Sequence, residues 1–295
     1  MAISIEPTTA CNLKCPQCPS GLRQFTRPTG NMKPDVNKKI LDNLGKSLQH
    51  INYYFQGEPF INPHFLDLVK EARSRNIYVV TSTNAHFISE ETATRIVESG
   101  LNEVIISIDG TTQETYEKYR IEGDLAKVLD GTKNLISAKQ KAKSQLPIVT
   151  FQFLVVRYNE HQIPEIKKMA KEMGADRVNL KTVQVYDFEN GNDLIPENEK
   201  FARYKTDDSG QLSIKNKFKN SCWRSWSSCV ITWDGKVVPC CFDKDAKYQL
   251  GEITKTDFKK IWRSDIYSDF RKKILKSRQE IDICKNCSEG SKVWV

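Results

Sequence analysis

The chain has 295 residues, 39% hydrophobic and 28% charged, with fourteen glycines and eleven prolines, a composition that excludes collagen-like, low-complexity and disordered chains and suits one or two packed domains. Its formal net charge is +8, and no run approaches the roughly 18 apolar residues of a membrane span, so no membrane partner is expected. Nine cysteines are present and the opening MAISIEPTTA lacks a secretory pattern, so a reducing, cytoplasmic setting is expected, where thiols more often ligate metal or do chemistry than form disulfides.

Short apolar runs alternate with amphipathic stretches up to about residue 185. Strands are predicted at Ala2 to Ile5, Ile51 to Phe55, Ile77 to Thr81, Glu103 to Ile108, Ile148 to Val156 and Arg177 to Val185. Helices are predicted over Pro34 to Leu48, His64 to Ser74, Ser89 to Ser99, Gln113 to Tyr119 with Leu125 to Lys143, and Ile163 to Met173. Asn62-Pro63 and Ser89-Glu90 read as helix starts, and Gly174 as a stop. Six strand-helix units predict an α/β fold with parallel strands and crossover helices, a partial (β/α)6 TIM-like barrel short of the full eight units. This barrel is expected to span residues 1–186.

Residues 187–220 carry FENGNDLIPENEK and DDSGQLSIKNK and read as a linker. A smaller α+β unit, 221–295, follows. SCVITWDGKVVPC predicts a hairpin turning at Asp234-Gly235. Farther on, Phe258, Ile261, Trp262, Ile266, Phe270 and Ile274 recur at helical spacing. The excess positive charge gathers here: Lys215, Lys217 and Lys219 precede Lys255, Lys259, Lys260, Arg263, Arg271, Lys272, Lys273, Lys276 and Arg278. These cations are expected on the solvated face of a packed helix. No nucleic-acid motif accompanies them, and nucleic acid is not an expected partner.

Cys11, Cys15 and Cys18 form C-x3-C-x2-C directly after the first predicted strand, at the end where barrel active sites are built from loops. Three thiolates can hold three irons of a cubane and leave the fourth open, whereas an electron-transfer 4Fe-4S cluster takes four protein ligands. A zinc site prefers paired C-x2-C units and four closed ligands.

On these residues the sequence resembles the radical S-adenosylmethionine (SAM) enzymes, over roughly residues 2–185. The resemblance extends to Gly57-Glu58-Pro59 after the second strand, similar to the family's GEP motif, to Ser82-Thr83-Asn84 after the third, similar to its TNG element with Ala85 in place of glycine, and to Ser107 and Asp109 in ISIDG, similar to its S-x-D-G. It implies that the open iron binds the amino and carboxylate groups of SAM. It also implies that Gly57 and Glu58 help hold the methionyl ammonium, Ser82 and Asn84 the methionyl end, and Ser107 and Asp109 the ribose. Arg120 in YEKYRIEG is a candidate for the SAM carboxylate, since guanidinium grips carboxylate with two hydrogen bonds. Gln17 stands where many members carry an aromatic residue.

Six further cysteines, Cys222, Cys229, Cys240, Cys241, Cys284 and Cys287, lie in the second unit. A hairpin pair plus a C-x2-C pair suits zinc or a 4Fe-4S cluster, and spacing does not choose between them. The segment resembles a twitch unit, a shortened SPASM domain, which implies one auxiliary 4Fe-4S cluster held by Cys222, Cys240, Cys284 and Cys287. Cys229 reads as a buried inert thiol. Cys240 and Cys241 are adjacent on a predicted strand and so face opposite ways. The resemblance offers Cys241 as a catalytic hydrogen-atom donor, against plain packing of a small hydrophobe.

The family's chemistry implies reductive cleavage of SAM to a 5′-deoxyadenosyl radical, fed by a flavodoxin- or ferredoxin-type reductant, and hydrogen abstraction from a C–H bond. An auxiliary cluster then implies oxidation of a sugar- or aminocyclitol-like alcohol. A radical SAM epimerase or peptide-modifying maturase using Cys241 is the alternative, and a non-catalytic iron-sulfur or zinc module is the alternative of another class.

Overall fold

A computed structural model describes residues 1–186, 188–189, 191–206, 211–215 and 219–288; Lys217 and parts of the expected linker, among them Asp187 and residues 207–210, lie outside the described residues. Strands β1 (Ala2–Ile5), β2 (His50–Tyr53), β3 (Tyr78–Thr83), β4 (Glu103–Ser107), β5 (Ile148–Val155) and β6 (Arg177–Thr182) lie side by side in chain order, each parallel to the next. The apolar centres of β3 and β4 are buried on both faces, as parallel sheets covered by helices require. A short helix α1 (Pro19–Leu22) follows β1, and the crossovers are α2 (Pro34–Leu44), α3 (Phe65–Ser74), α4 (Glu90–Glu98), α5 (Gln113–Tyr119) with α6 (Leu125–Lys141), and α7 (Ile163–Met173). Ser89 caps α4 by accepting a hydrogen bond from Thr92 N. Gly174 ends α7 in the left-handed region at φ 79°. Both match the start and stop signals in the sequence.

Within 187–220 the described residues include a small antiparallel pair, β7 (Tyr204–Thr206) and β8 (Leu212–Ile214). Ile195, Ala202, Tyr204 and Ile214 are buried with Leu13, Cys15, Val183 and Val185 in a second apolar cluster. This stretch packs against the cysteine loop that follows β1.

Beyond it lie α8 (Arg224–Ser227), the hairpin β9 (Val230–Ile231) and β10 (Lys236–Val238), strand β11 (Gly251–Glu252), then α9 (Phe258–Trp262), α10 (Asp265–Ser277) and α11 (Asp282–Lys285). Gly235 closes the hairpin turn at φ 87°, where a glycine carries no side-chain penalty. The helical pattern expected as one run is two helices. Asp257 caps α9 and Ser264 caps α10, which breaks the phase, so Phe258, Ile261, Phe270 and Ile274 are buried while Ile266 is 61% exposed. Two of the cations expected in solvent are also turned inward. Arg271 stacks on Trp262 and Tyr267, and Arg278 is 2% exposed.

β9 lies parallel to β1, with Ser4 opposite Val230 and Ile5 opposite Ile231, so the hairpin and β11 extend the six-stranded sheet to nine strands. At the end of β1, Glu6 is fully buried and bound twice by Arg27, at 2.5 and 2.9 Å. Trp233 N, in the hairpin turn, donates to the same carboxylate at 3.2 Å, and Arg27 Nε donates to Lys244 O at 3.1 Å. Burial pushes the Glu6 carboxyl up, and Arg27 opposes it. Removing one partner of a buried pair costs more than removing both, because the survivor stays desolvated and uncompensated. Arg27→Met is therefore expected to lower the stability of the apo protein by about 3–5 kcal/mol in urea unfolding, with Glu6→Gln added to Arg27→Met recovering part of the loss.

Candidate active site

The C-terminal ends of the barrel strands converge on the loop that follows β1. Cys11, Cys15 and Cys18 lie in it, Cys15 buried and the other two half-buried. Cys18 precedes α1, whose Ser20 Oγ accepts a hydrogen bond from Gly57 N at 2.8 Å. Gly57 has φ 73°, and a Cβ there would stand 2.4 Å from Thr8 O. No other residue type fits that approach of the loop after β2 to the cysteine loop. Glu58 N donates to Ala10 O at 2.7 Å, directly before Cys11.

The Glu58 side chain is 2% exposed. It accepts from Thr83 Oγ1 at 2.7 Å and from Asn84 N at 2.7 Å, the last residue of β3 and the one after it. Burial pushes its carboxyl up to about 7 despite these bonds. Asn84 Nδ2 donates to Asn12 Oδ1 at 2.7 Å, and Ala85 follows at φ 61°, a left-handed conformation in which glycine is the usual occupant. Ser82 and Ser107 meet through their hydroxyls at 3.4 Å. Asp109, fully buried after β4, accepts from Leu154 N at 2.7 Å and from Arg120 Nε at 2.5 Å. The guanidinium also reaches Cys15 Sγ at 3.7 Å. Gly57, Glu58, Asn84, Asp109 and Arg120 are thus tied to the loop of the first three thiols, while Ser82 and Ser107 meet each other at the ends of β3 and β4. Asn12 and Gln56, which no motif marks, join them; Gln56 Oε1 accepts from Cys18 Sγ at 3.9 Å. Their only signal in the sequence is a polar side chain next to Cys11 or to the GEP tripeptide.

The second group assembles under α10. Cys222, Cys240, Cys284 and Cys287 line one cavity with Arg278, Phe270 and Ile274, and neither Cys229 nor Cys241 is among its lining residues. Cys229 is buried in the main core. Cys240 and Cys241 are not on a strand as the sequence predicts: β10 ends at Val238 and both lie in the bend and turn beyond it, where Cys241 acts on Cys240 and on Tyr54 after β2. Asn286, inside the C-x2-C, is tied to the barrel: Tyr204 Oη donates to Asn286 Oδ1 at 3.0 Å, and Asn286 Nδ2 donates to Val185 O at 2.5 Å. Between the two thiol groups opens a cleft of about 460 Å³, bordered by Pro19 and Leu22 of α1, Tyr186 after β6, Phe242 beside Cys241 and Ile283 beside Cys284.

The donor sets fit iron-sulfur clusters. Burial pushes the Cys11 thiol up to about 12 and raises Cys15 and Cys284; Cys240 is raised well above its ordinary value by burial and then by its neighbouring thiols. Grouped thiols of this kind become thiolates only when a cation joins them. Four thiols around a shared cavity suit a cubane, and three beside a polar pocket suit one with an open corner.

A barrel of this kind with three thiols at its mouth defines a SAM-cleaving iron-sulfur enzyme, and comparison with known proteins agrees. Residues 5–180 match the radical SAM superfamily and residues 222–288 the SPASM iron-sulfur cluster-binding domain. The chain belongs to the radical SAM superfamily; it uses SAM with a 4Fe-4S cluster, and its SPASM domain implies auxiliary iron-sulfur binding. It is 26% identical to the tungsten-containing aldehyde ferredoxin oxidoreductase cofactor-modifying protein of Pyrococcus furiosus, over 96% of this chain and 86% of that one. It is also 26% identical to the mycofactocin maturase MftC of Mycobacterium tuberculosis, over 97% and 75% of the two chains. PqqA peptide cyclase of Bradyrhizobium diazoefficiens is 29% identical over 63% of this chain and 47% of its own. Among solved structures, BtrN in complex with AdoMet and 2-DOIA shares the fold with TM-score 0.59 and 21% identity, covering 98% and 93%. Streptococcus suis SuiB bound to SAM does so with TM-score 0.68 and 16% identity, covering 98% and 72%. Among the described residues no helix is long and apolar enough to cross a membrane.

Glu58 titrates near 7 in the fold against an ordinary value of 4.5, so the folded chain holds its proton where the unfolded chain has lost it, and stability falls as pH rises through that window. A tenfold change in proton affinity corresponds to about 1.4 kcal/mol, so Glu58→Gln is expected to remove about 3 kcal/mol of the decline between pH 4.5 and 7. Urea unfolding of the apo protein and the variant across that range checks this.

Proposed function

We propose that this chain is a radical SAM oxidoreductase that takes hydrogen from a C–H bond and delivers the substrate's second electron to an auxiliary cluster. The observation that carries the reading is the cleft: its walls are residues adjacent to Cys18 on one side and to Cys241 and Cys284 on the other. With both sites filled, the first cluster and SAM supply a 5′-deoxyadenosyl radical, and the auxiliary cluster supplies an electron acceptor. A flavodoxin- or ferredoxin-type protein is the proposed reductant.

In this reading Cys11, Cys15 and Cys18 hold three irons and leave one for SAM. Glu58, desolvated and hydrogen-bonded by Thr83 and Asn84, meets the methionyl ammonium, the cation its burial lacks. Gly57 lets that loop approach, and Ser82 and Asn84 line the methionyl end. Ser107 and Asp109 face the ribose. Arg120, held by Asp109 and beside Cys15, meets the SAM carboxylate. Cys222, Cys240, Cys284 and Cys287 hold the auxiliary cluster. The walls of the cleft keep substrate against SAM and shield the radical from stray hydrogen donors. With SAM and both clusters bound, a sugar- or aminocyclitol-like alcohol held in the cleft would give up a carbon-bound hydrogen, its hydroxyl proton and one electron, the last to the centre held by Cys222, Cys240, Cys284 and Cys287, and become a ketone. The structure of BtrN with AdoMet and 2-DOIA is one example of a small molecule bound on this fold.

A second reading rests on Cys241, which lies outside the auxiliary cavity and near Tyr54. There it would return a hydrogen atom to a substrate radical, as in epimerisation. Peptide substrates also enter here, through the names of the maturase and peptide cyclase relatives. Mass measurement of the product in deuterated water separates the two readings. Loss of two hydrogens without solvent label is expected; gain of one carbon-bound deuterium at unchanged oxidation level would establish the second reading, and only then should Cys241→Ala abolish turnover. For the ligand sets, replacing Cys11, Cys15 and Cys18 by alanine together is expected to lower reconstituted iron by about half, since two 4Fe-4S clusters are proposed; unchanged iron would refute the assignment.

A further inference from the structure

Arg278 is among the largest fully buried side chains of the protein. A guanidinium out of water is costly unless anions or hydrogen-bond acceptors surround it. Its partners include a sulfur and a carbonyl. Nη2 donates to Cys287 Sγ at 3.2 Å and Nη1 to Ser221 O at 2.9 Å, while Arg278 N donates to Asn220 Oδ1 at 3.1 Å. The side chain lines the same cavity as Cys222, Cys240, Cys284 and Cys287. The positive charge is thus set against the thiols of the auxiliary site.

Four thiolates give a 4Fe-4S centre a net negative charge, and reduction adds one more. The potential at which that electron enters depends on net charge and on hydrogen bonds to the sulfurs. A cation in a desolvated pocket acts with little screening. Resting on the reading that these four cysteines hold the auxiliary cluster, we propose that Arg278 is a positioning residue that raises the cluster's reduction potential, through its bond to Cys287 Sγ and its buried charge. Its consequence is an auxiliary centre better suited to accept an electron from a substrate radical than to give one away.

A purely structural Arg278 would only tie residues 220–221 to the end of α10, so the decisive readout is the potential. In full-length protein with Cys11, Cys15 and Cys18 replaced by alanine, so that the auxiliary cluster is observed alone, anaerobic redox titration followed by electron paramagnetic resonance compares Arg278, Arg278→Gln and Arg278→Lys. Gln is expected to reduce the equilibrium constant for one-electron reduction at least tenfold, a downward shift of about 59 mV, and Lys to restore most of it. Should Gln prevent iron loading, Arg278→Met, which fills the space without a charge, gives the same comparison. Equal potentials at equal iron content would overturn the proposal, as would a Lys variant as low as Gln. Absence of any cluster in the parent triple variant would instead overturn the ligand reading beneath it.

Discussion

The fold turns on the buried junction at the end of β1, where Glu6 is held by Arg27 and by the backbone of Trp233. Three segments meet there: the first barrel strand, the loop that returns from the cysteine triad, and the hairpin of the second unit. The parallel pairing of β9 with β1 and the ion pair above it act on the same few residues. Together they fix where the second group of thiols stands relative to the first. Thr26 adds to the junction by donating its backbone N–H to Asp245 at 2.8 Å, so the cleft between the thiol groups is bounded by segments that are themselves bonded to one another.

Electrostatics gives both thiol groups a common logic. Each contains thiols that burial pushes up, Cys11 and Cys15 in the first and Cys240 and Cys284 in the second, and each has one arginine turned onto a sulfur: Arg120 onto Cys15 and Arg278 onto Cys287. The first arginine is also held by the buried Asp109 carboxylate, and the second donates to the Ser221 carbonyl.

Much of this is legible in the sequence because the relevant signals are local. Strand-helix alternation specifies six parallel strands, Asp234-Gly235 the hairpin, and C-x3-C-x2-C after the first strand the loop at the barrel mouth. The grouping of Cys222, Cys240, Cys284 and Cys287 follows from the family resemblance and not from strand alternation, because β10 ends at Val238 and Cys240 and Cys241 lie in the bend and turn beyond it. What is not legible depends on contacts distant in sequence. The pairing of β9 with β1 joins residues more than two hundred positions apart, and nothing in VITWDG marks its partner. Arg278 reads as the last of a row of solvated cations, because helical periodicity stops where α10 ends and the chain turns inward. Ile266 is misplaced by the same periodicity, since a cap at Ser264 resets the helical phase. The packing of 187–220 onto the cysteine loop comes from Ile195, Tyr204 and Ile214, scattered among turn formers too polar to suggest a core.

The central claim is that two separate iron-sulfur centres face one cleft and only the first meets SAM. Electron paramagnetic resonance of the reduced, reconstituted protein with and without SAM tests it most directly. The account predicts two signals, of which one changes when SAM is added, while the other stays as it was and vanishes when Cys222 and Cys240 are replaced by alanine. A single signal, or two that both respond to SAM, would contradict it.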